Sequence, residues 1–337
     1  MFLRRMARLT AVLLALMLFL GGCGTRSDKF SRTYWDYFDT FATITGYAAS
    51  QSEFDGACEL ARRELERCHR LFDIYNEYEG LNNIAAVNKN AGLQPVEVDG
   101  EILSLMEFSM DMAAKTGGAL NVAMGAVLRL WHDCRDADVP YLPDKDALAE
   151  AYRHCHIEDV IIDRQAGTLY LADPLMSLDV GAAAKGRAVE LAAQALEDAG
   201  YTGFAVNVGG NLRVTGDKPD GQGWSAGVQD PFGGSEPAGQ ITLHGEALAT
   251  SGTYQRYFEL DGVRYHHIID PDTLYPGTNY QSVSVCSPDA GLADALSTAL
   301  FNMNIPDGLT LIESFPGTQV MWITDEEQRF ATDGFSY

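Results

Sequence analysis

The chain has 337 residues, with 47 acidic against 24 basic side chains and a formal net charge of −23. That balance excludes nucleic-acid binding through a basic surface and adhesion to anionic lipid through a basic patch. A hydrophobic share of 46% supplies a sizeable core, and the six cysteines form neither a CxxC pair nor a zinc-type spacing.

Residues 1–22 read as a signal peptide. Arg4, Arg5 and Arg8 make a positive start, and Leu9 to Leu20 is an apolar run too short for a comfortable membrane span. Leu20-Gly21-Gly22-Cys23 looks like a bacterial lipobox. Cleavage before Cys23 and acylation of its thiol imply a lipid-anchored protein on the cell membrane, facing outside the cytoplasm. An ordinary signal peptide or anchor with a chance cysteine is the alternative. Residues 23–33 then read as a lipidated tether and 34–337 as one domain. Losing the three arginines takes the charge from −23 to −26, which suits a soluble body with a cation among its carboxylates. Cys58, Cys68, Cys134, Cys155 and Cys286 remain. Their number is odd, and all but Cys134 sit in apolar-patterned segments, so they read as buried free thiols, while a location outside the cytoplasm permits one or two disulfides.

The pattern predicts a strand over 37–48. A helix over 53–74 follows, with Phe54, Ala57, Leu60, Ala61, Leu65, Cys68 and Leu71 on one face. A second helix, 100–116, is stopped by Gly117-Gly118. Strands at 157–163 and 168–172 precede a helix over 182–199, closed by Gly200. Strands at 203–208 and 211–215 flank Gly209-Gly210, and 219–239 reads as a Gly- and Pro-rich surface loop. A small-residue turn at Thr250-Ser251-Gly252 leads into a hairpin over 254–269, folded at Asp261-Gly262. A strand at 281–286, a helix at 289–303 and strands near 318–323 and 328–331 complete the chain. Strands and helices interleave without a linker or repeat, so the body is one mixed α/β (α+β) unit. No Gly-x-Gly-x-x-Gly follows a strand with an acidic residue about twenty positions on, so a Rossmann core is not expected.

Five segments carry candidate chemistry. Phe38 and Tyr75 each offer a ring that could stack on a planar ligand or simply fill the core. Leu178-Asp179-Val180-Gly181-Ala182-Ala183-Ala184-Lys185-Gly186 places an Asp at a strand end, then small residues and a Lys at a helix start. Such a helix start favours an anion, and Lys185 adds a point charge for phosphate. A tight strand–helix turn with a surface lysine reads equally well, and the Walker spacing is absent. Asn207-Val208-Gly209-Gly210-Asn211 permits close backbone approach or is a plain hairpin turn. The hairpin ends on His266-His267 and Asp270-Pro271, residues suited to phosphate and protons and not demanded by core packing. Asp294 and Thr298 stand four apart on an otherwise apolar helix face. They form a hard-oxygen half-site for Mg²⁺ or a local hydrogen bond.

Taken together, these segments resemble the ApbE family of FAD:protein FMN transferases, whose members carry related motifs in the same order. The matching stretches run from Phe38 to Phe301. The resemblance implies a single ApbE-like unit with mixed or antiparallel sheets flanked by helices. It implies that Tyr75 lines a flavin pocket, with Phe38 at the neighbouring position, and that Ala119, Leu120, Asn121, Asp179 and Lys185 contact FAD. Ile268 matches an adenine-side contact. Mg²⁺ falls to the Ala182 carbonyl, Asp294 and Thr298, and the catalytic base to His267, with Asp294 catalytic through the metal.

The implied activity is Mg²⁺-dependent transfer of FMN from FAD, its substrate, onto a Thr or Ser of an extracytoplasmic acceptor flavoprotein, with release of AMP. Acceptors of the Rnf or Nqr electron-transfer type fit that implication, and nucleic acid does not. An FAD pyrophosphatase and a non-catalytic FAD-binding lipoprotein are the competing readings. This chain departs from the family pattern where Phe38 stands for Met, Asn121 and Asn211 for Asp, and Ala182-Ala183 for Gly-Ile. The loop after Tyr75 departs too.

Overall fold

The computed structural model describes residues 27–337. The signal-peptide reading and Cys23 lie outside the described residues. The strands are β1 (Asp28–Tyr37), β2 (Thr40–Ala48), β3 (Val96–Glu97), β4 (Val160–Asp163), β5 (Thr168–Leu171), β6 (Phe204–Val208), β7 (Asn211–Val214), β8 (Trp224–Val228), β9 (Gly239–Leu243), β10 (Ala247–Gly252), β11 (Tyr257–Leu260), β12 (Val263–His266), β13 (Ser282–Ser287), β14 (Gln319–Ile323) and β15 (Arg329–Ala331). The α-helices are α1 (Gln51–Phe72), α2 (Ile84–Lys89), α3 (Gly100–Lys115), α4 (Gly125–Asp136), α5 (Lys145–Tyr152), α6 (Gly181–Asp198), α7 (Ala290–Phe301) and α8 (Ile305–Ile312).

The largest sheet has eight strands in the order β1-β2-β6-β7-β10-β13-β14-β15, paired antiparallel throughout. In β2 the residues alternate, with Ala42, Ile44 and Ala48 turned to the core and threonines between them, as a half-buried strand requires. Helices α1, α6 and α7 cover one face. Helix α1 begins where the Ser50 hydroxyl accepts from the Glu53 N–H at 3.2 Å and Glu53 returns a bond to the Ala49 N–H at 2.8 Å. That reciprocal pair satisfies two free amides, and Phe54, Ala57, Ala61, Leu65, Cys68 and Leu71 then face inward. The β8–β9 ribbon packs on the other face, where Ala226, Ile241 and Leu243 meet Val214, Leu248 and Cys286. All six residues of β13, under cover on both sides, are buried.

A second apolar cluster gathers α4, α5 and the β11–β12 hairpin. Trp131 stacks on Tyr265 and lies beside Phe258 and Tyr275. The functional cleft opens between this cluster and the helix-covered face of the large sheet.

Several sequence expectations need correction. The strand expected over 37–48 is β2 from Thr40 on, but it is the second arm of a hairpin with β1, and Phe38 and Asp39 form the turn, with φ of 53° and 55°. A two-residue turn of this kind is usually Asn-Gly, which hides it. Strand β1 begins at Asp28, so part of the 23–33 tether belongs to the folded body. The 219–239 loop contains β8, whose Trp-Ser-Ala-Gly-Val alternation is flanked by turn residues. The supposed turn at 250–252 is the end of β10, where small residues fit a strand pressed between its sheet neighbours and α7. All five described cysteines are buried free thiols, Cys134 included. Among the described residues no helix is long and apolar enough to cross a membrane.

Candidate active site

One cleft of about 720 Å³ collects all twelve residues expected at the site. Phe38, Tyr75, Ala119, Leu120, Asn121, Asp179, Ala182, Lys185, His267, Ile268, Asp294 and Thr298 all line it. They come from the β1–β2 turn, the loop after α1, the α3–α4 connection, the start of α6, the end of the β11–β12 hairpin, and α7.

On one side Tyr75 stands 62% exposed, its ring free to receive a flat ligand. Its backbone is fixed by Asp73, whose carboxylate accepts from the Tyr75 and Asn76 N–H groups, the Asn76 amide and the Tyr78 hydroxyl at 2.7–3.0 Å. Its hydroxyl lies 3.3 Å from His132 Nδ1. Phe38 packs edge-on against His69, and its carbonyl accepts from the Arg256 guanidinium at 3.0 Å. Asn121 spends its amide locally, donating to the Cys155 carbonyl and accepting from the Ala123 N–H, each at 2.9 Å. An Asp at this position has no donor for that carbonyl, so the amide serves the loop.

The opposite side is built for cations and anions together. Asp179 caps the start of α6 by accepting from the Gly181 N–H at 2.9 Å, and Lys185 reaches back to the Gly181 carbonyl at 3.0 Å. Asp294 is 5% exposed and accepts from the Gly186 N–H at 2.8 Å. In a helix the Ala182 carbonyl points at that same N–H, so the bond sets the carboxylate beside the carbonyl. Gly186 makes the approach possible, because a Cβ there would lie 2.5 Å from Asp294 Cβ and 2.3 Å from the Ala290 carbonyl oxygen. Thr298 follows one turn after Asp294, and its hydroxyl lies 3.2 Å from that of Ser251.

These groups fit a hard divalent cation. Burial raises the Asp294 pKa above the usual carboxylate value, and among the described residues no ion pair satisfies the carboxylate. The Asn211 side chain lies beside the Asp294 carboxylate and opposes the upward pKa shift, while its own Oδ1 is buried without a protein partner. An Asp at 211 would set two buried carboxylates together, whereas Asn can donate. Among the described residues no group of three or more His, Cys, Asp and Glu is placed to hold a metal ion. The Asp294 carboxylate, the Thr298 hydroxyl and the Ala182 carbonyl are all oxygens, the donor type Mg²⁺ prefers.

The histidine pair divides its work. His266 is buried, with Nε2 2.8 Å from the Gly277 carbonyl and Nδ1 accepting from the Ile268 N–H at 3.2 Å. Both nitrogens are committed to structure, and the ring packs edge-on against Phe301. His267 lines the cleft, its Nδ1 3.2 Å from the Arg256 carbonyl. A carbonyl only accepts, so Nδ1 carries the proton and Nε2 keeps a lone pair. Burial pushes the His267 pKa down to about 3, and Lys185, Arg256 and His266 add to the shift. The imidazole is thus neutral across the physiological range.

Sequence reasoning missed His132, Arg135 and Arg256, which also line the cleft. The first two sit on α4, a helix absent from the sequence reading. Their spacing of three, beside Trp131 on a periodic apolar pattern, is the signal that would have found them.

Comparison with known proteins agrees with this geometry. A model of the ApbE family matches residues 38–322. A Treponema pallidum FAD:protein FMN transferase is 34% identical over 96% of this chain and 92% of its own length. A Klebsiella pneumoniae protein of the same description is 30% identical over 79% of this chain and 82% of its own length. Among solved structures, the ApbE protein of Thermotoga maritima superposes with a TM-score of 0.81 at 30% identity, covering 91% of this chain and 97% of that one. The Vibrio cholerae flavin transferase ApbE gives 0.77 at 25% identity, covering 91% and 98%. This chain belongs to the ApbE family.

Proposed function

We propose that the protein is an FAD:protein FMN transferase that moves FMN from FAD onto a Thr or Ser hydroxyl of an acceptor protein. One observation carries this reading: a buried, cation-seeking Asp294 and a neutral His267 with Nε2 as its basic nitrogen line the same cleft. Tyr75 and Phe38 hold the isoalloxazine, and Ile268 meets the adenine side. Asp294, Thr298 and the Ala182 carbonyl would hold Mg²⁺. When bound, Mg²⁺ supplies positive charge to the pyrophosphate and to the departing AMP.

The chain's own residues do the rest. Lys185 stands where it can attract the pyrophosphate, and Asp179 holds the helix start that faces it. His267 Nε2 takes the proton of the acceptor hydroxyl as its oxygen bonds to the FMN phosphorus. The bond from that phosphorus to the bridging oxygen breaks, and AMP leaves with that oxygen. Bound pyrophosphate offsets the cations around His267 and raises its basicity when a base is needed.

The setting follows from the first residues. The protein acts outside the cytoplasm, held to the membrane by acylated Cys23, on an electron-transfer acceptor of the Rnf or Nqr type. The positive start, apolar run and Leu20-Gly21-Gly22-Cys23 support the location and the anchor, and the acceptor class rests on the family resemblance. Cys23→Ala should accumulate as an unacylated precursor, and a wild-type chain recovered unmodified from the cytoplasm would refute the anchor. The chemistry is tested by following AMP release from FAD with an acceptor present. Release should require Mg²⁺ and stop with chelator; release that ignores chelator counts against the metal assignment.

A further inference from the structure

Arg256 occupies an unusual position between two parts of the site. Its backbone carbonyl accepts from the His267 N–H at 3.1 Å and holds His267 Nδ1 at 3.2 Å. Its guanidinium crosses the cleft mouth to the Phe38 carbonyl at 3.0 Å, a residue 218 positions away. That carbonyl belongs to a turn in which two residues other than glycine hold positive φ, a conformation that persists only where surroundings impose it. The guanidinium is otherwise little used. The Asp39 carboxylate lies 3.9 Å away, and the side chain is 45% exposed. Of five N–H donors in a planar fork, one bond to a carbonyl leaves most unspent.

The register places Arg256 opposite His267. Tyr257 pairs with His266, so the next cross-strand pair outward is Arg256 with His267, neighbours on the ribbon. Lys185 and Arg256 both line the cleft with His267. A pyrophosphate within reach of His267 is therefore bracketed by an ammonium on α6 and a guanidinium on the hairpin.

Resting on the transferase reading above, we propose that Arg256 is a phosphate-binding residue whose spare guanidinium donors hold the FMN phosphoryl group while one remains on the Phe38 carbonyl. The same side chain would thus tie occupancy of the phosphate site to the Phe38 turn beside the flavin. A planar fork suits two phosphate oxygens at once, which a lysine ammonium cannot match.

The test measures binding of FAD and of riboflavin, which has no phosphate, by quenching of flavin fluorescence in the whole protein, Arg256→Gln and Arg256→Lys. A charge-assisted hydrogen bond of the usual strength predicts FAD affinity about 10- to 100-fold weaker in Arg256→Gln. Riboflavin affinity should stay within about two-fold, and Arg256→Lys should recover only part of the FAD loss. Equal losses for FAD and riboflavin, or unchanged FAD affinity, would overturn the assignment and leave Arg256 a support of the turn. Wild-type protein that binds riboflavin but not FAD would instead overturn the transferase reading, and the Arg256 role with it.

Discussion

The Gly186 amide and the Asp294 carboxylate meet at 2.8 Å across the contact between α6 and α7. This bond places the carboxylate beside the Ala182 carbonyl and leaves a buried charge with no cationic side chain bonded to it. Asp294→Asn should therefore fold as well as wild type or better without metal, because the desolvated charge is gone while an acceptor for Gly186 remains. It should also lose the rise in melting temperature that Mg²⁺ gives wild type, and AMP release should fall by about 10²-fold or more. Full activity of Asp294→Asn at micromolar Mg²⁺ contradicts the metal assignment.

The histidine pair makes an internal comparison. His267→Ala should bind FAD within a few-fold of wild type and lose about 10²- to 10⁴-fold in transfer rate, the usual cost of a positioned base. His266→Ala empties a buried site, leaves the Gly277 carbonyl and the Ile268 N–H without partners, and should lower the melting temperature. Its folded fraction should still transfer FMN. Loss of transfer in His266→Ala with transfer intact in His267→Ala would reverse these roles.

Part of the site was legible because its residues sit at element ends or at helical spacings that small or polar residues mark, while Ala119, Leu120, Ala182 and Ile268 carry no such mark and came only with the family resemblance. Asp179 before Gly181, the Gly209-Gly210 pair and the Asp294–Thr298 spacing are local signals, and the structure brings them to one cleft. The β1–β2 turn was not legible, since Phe38 and Asp39 hold a conformation their own preferences do not favour. Helix α4 was missed because Gly125 opens it without a side-chain cap; Gly125 is there because a Cβ would lie 2.5 Å from the Ser177 carbonyl oxygen. Strand β10 reads as a turn for a related reason: its small residues answer to crowding from α7, which local propensity does not register.

The pH dependence has a definite sign. His267 is neutral in the folded protein down to about pH 3, against about 6.5 for an ordinary imidazole. The free enzyme should therefore keep its base as acid is added, and kcat/KM for AMP release should show no His267 limb between about pH 7 and 5. The same depression works against stability. Protonation favours the unfolded chain once pH falls below the ordinary imidazole value, and His132 and His266, also lowered by burial, act in the same direction. His267→Gln should flatten part of the fall in melting temperature over that range. An acid limb of kcat/KM near the ordinary imidazole value would show that His267 is not held neutral.

Asp73 gathers four hydrogen bonds from the loop that presents Tyr75. Asp73→Ala should cost about 1–3 kcal/mol of stability through stranded donors, and should raise the KM for FAD more than it lowers kcat, because the stacking ring loses its anchor. Unchanged FAD affinity in a folded Asp73→Ala would detach Tyr75 from flavin binding.

Mass spectrometry of an acceptor protein after incubation with this protein, FAD and Mg²⁺ bears most directly on the central claim. The account predicts an acceptor heavier by one FMN less water on a single Thr or Ser, with one AMP released per label and neither product from His267→Ala. AMP and free FMN with an unlabelled acceptor would contradict it and make the protein a pyrophosphatase.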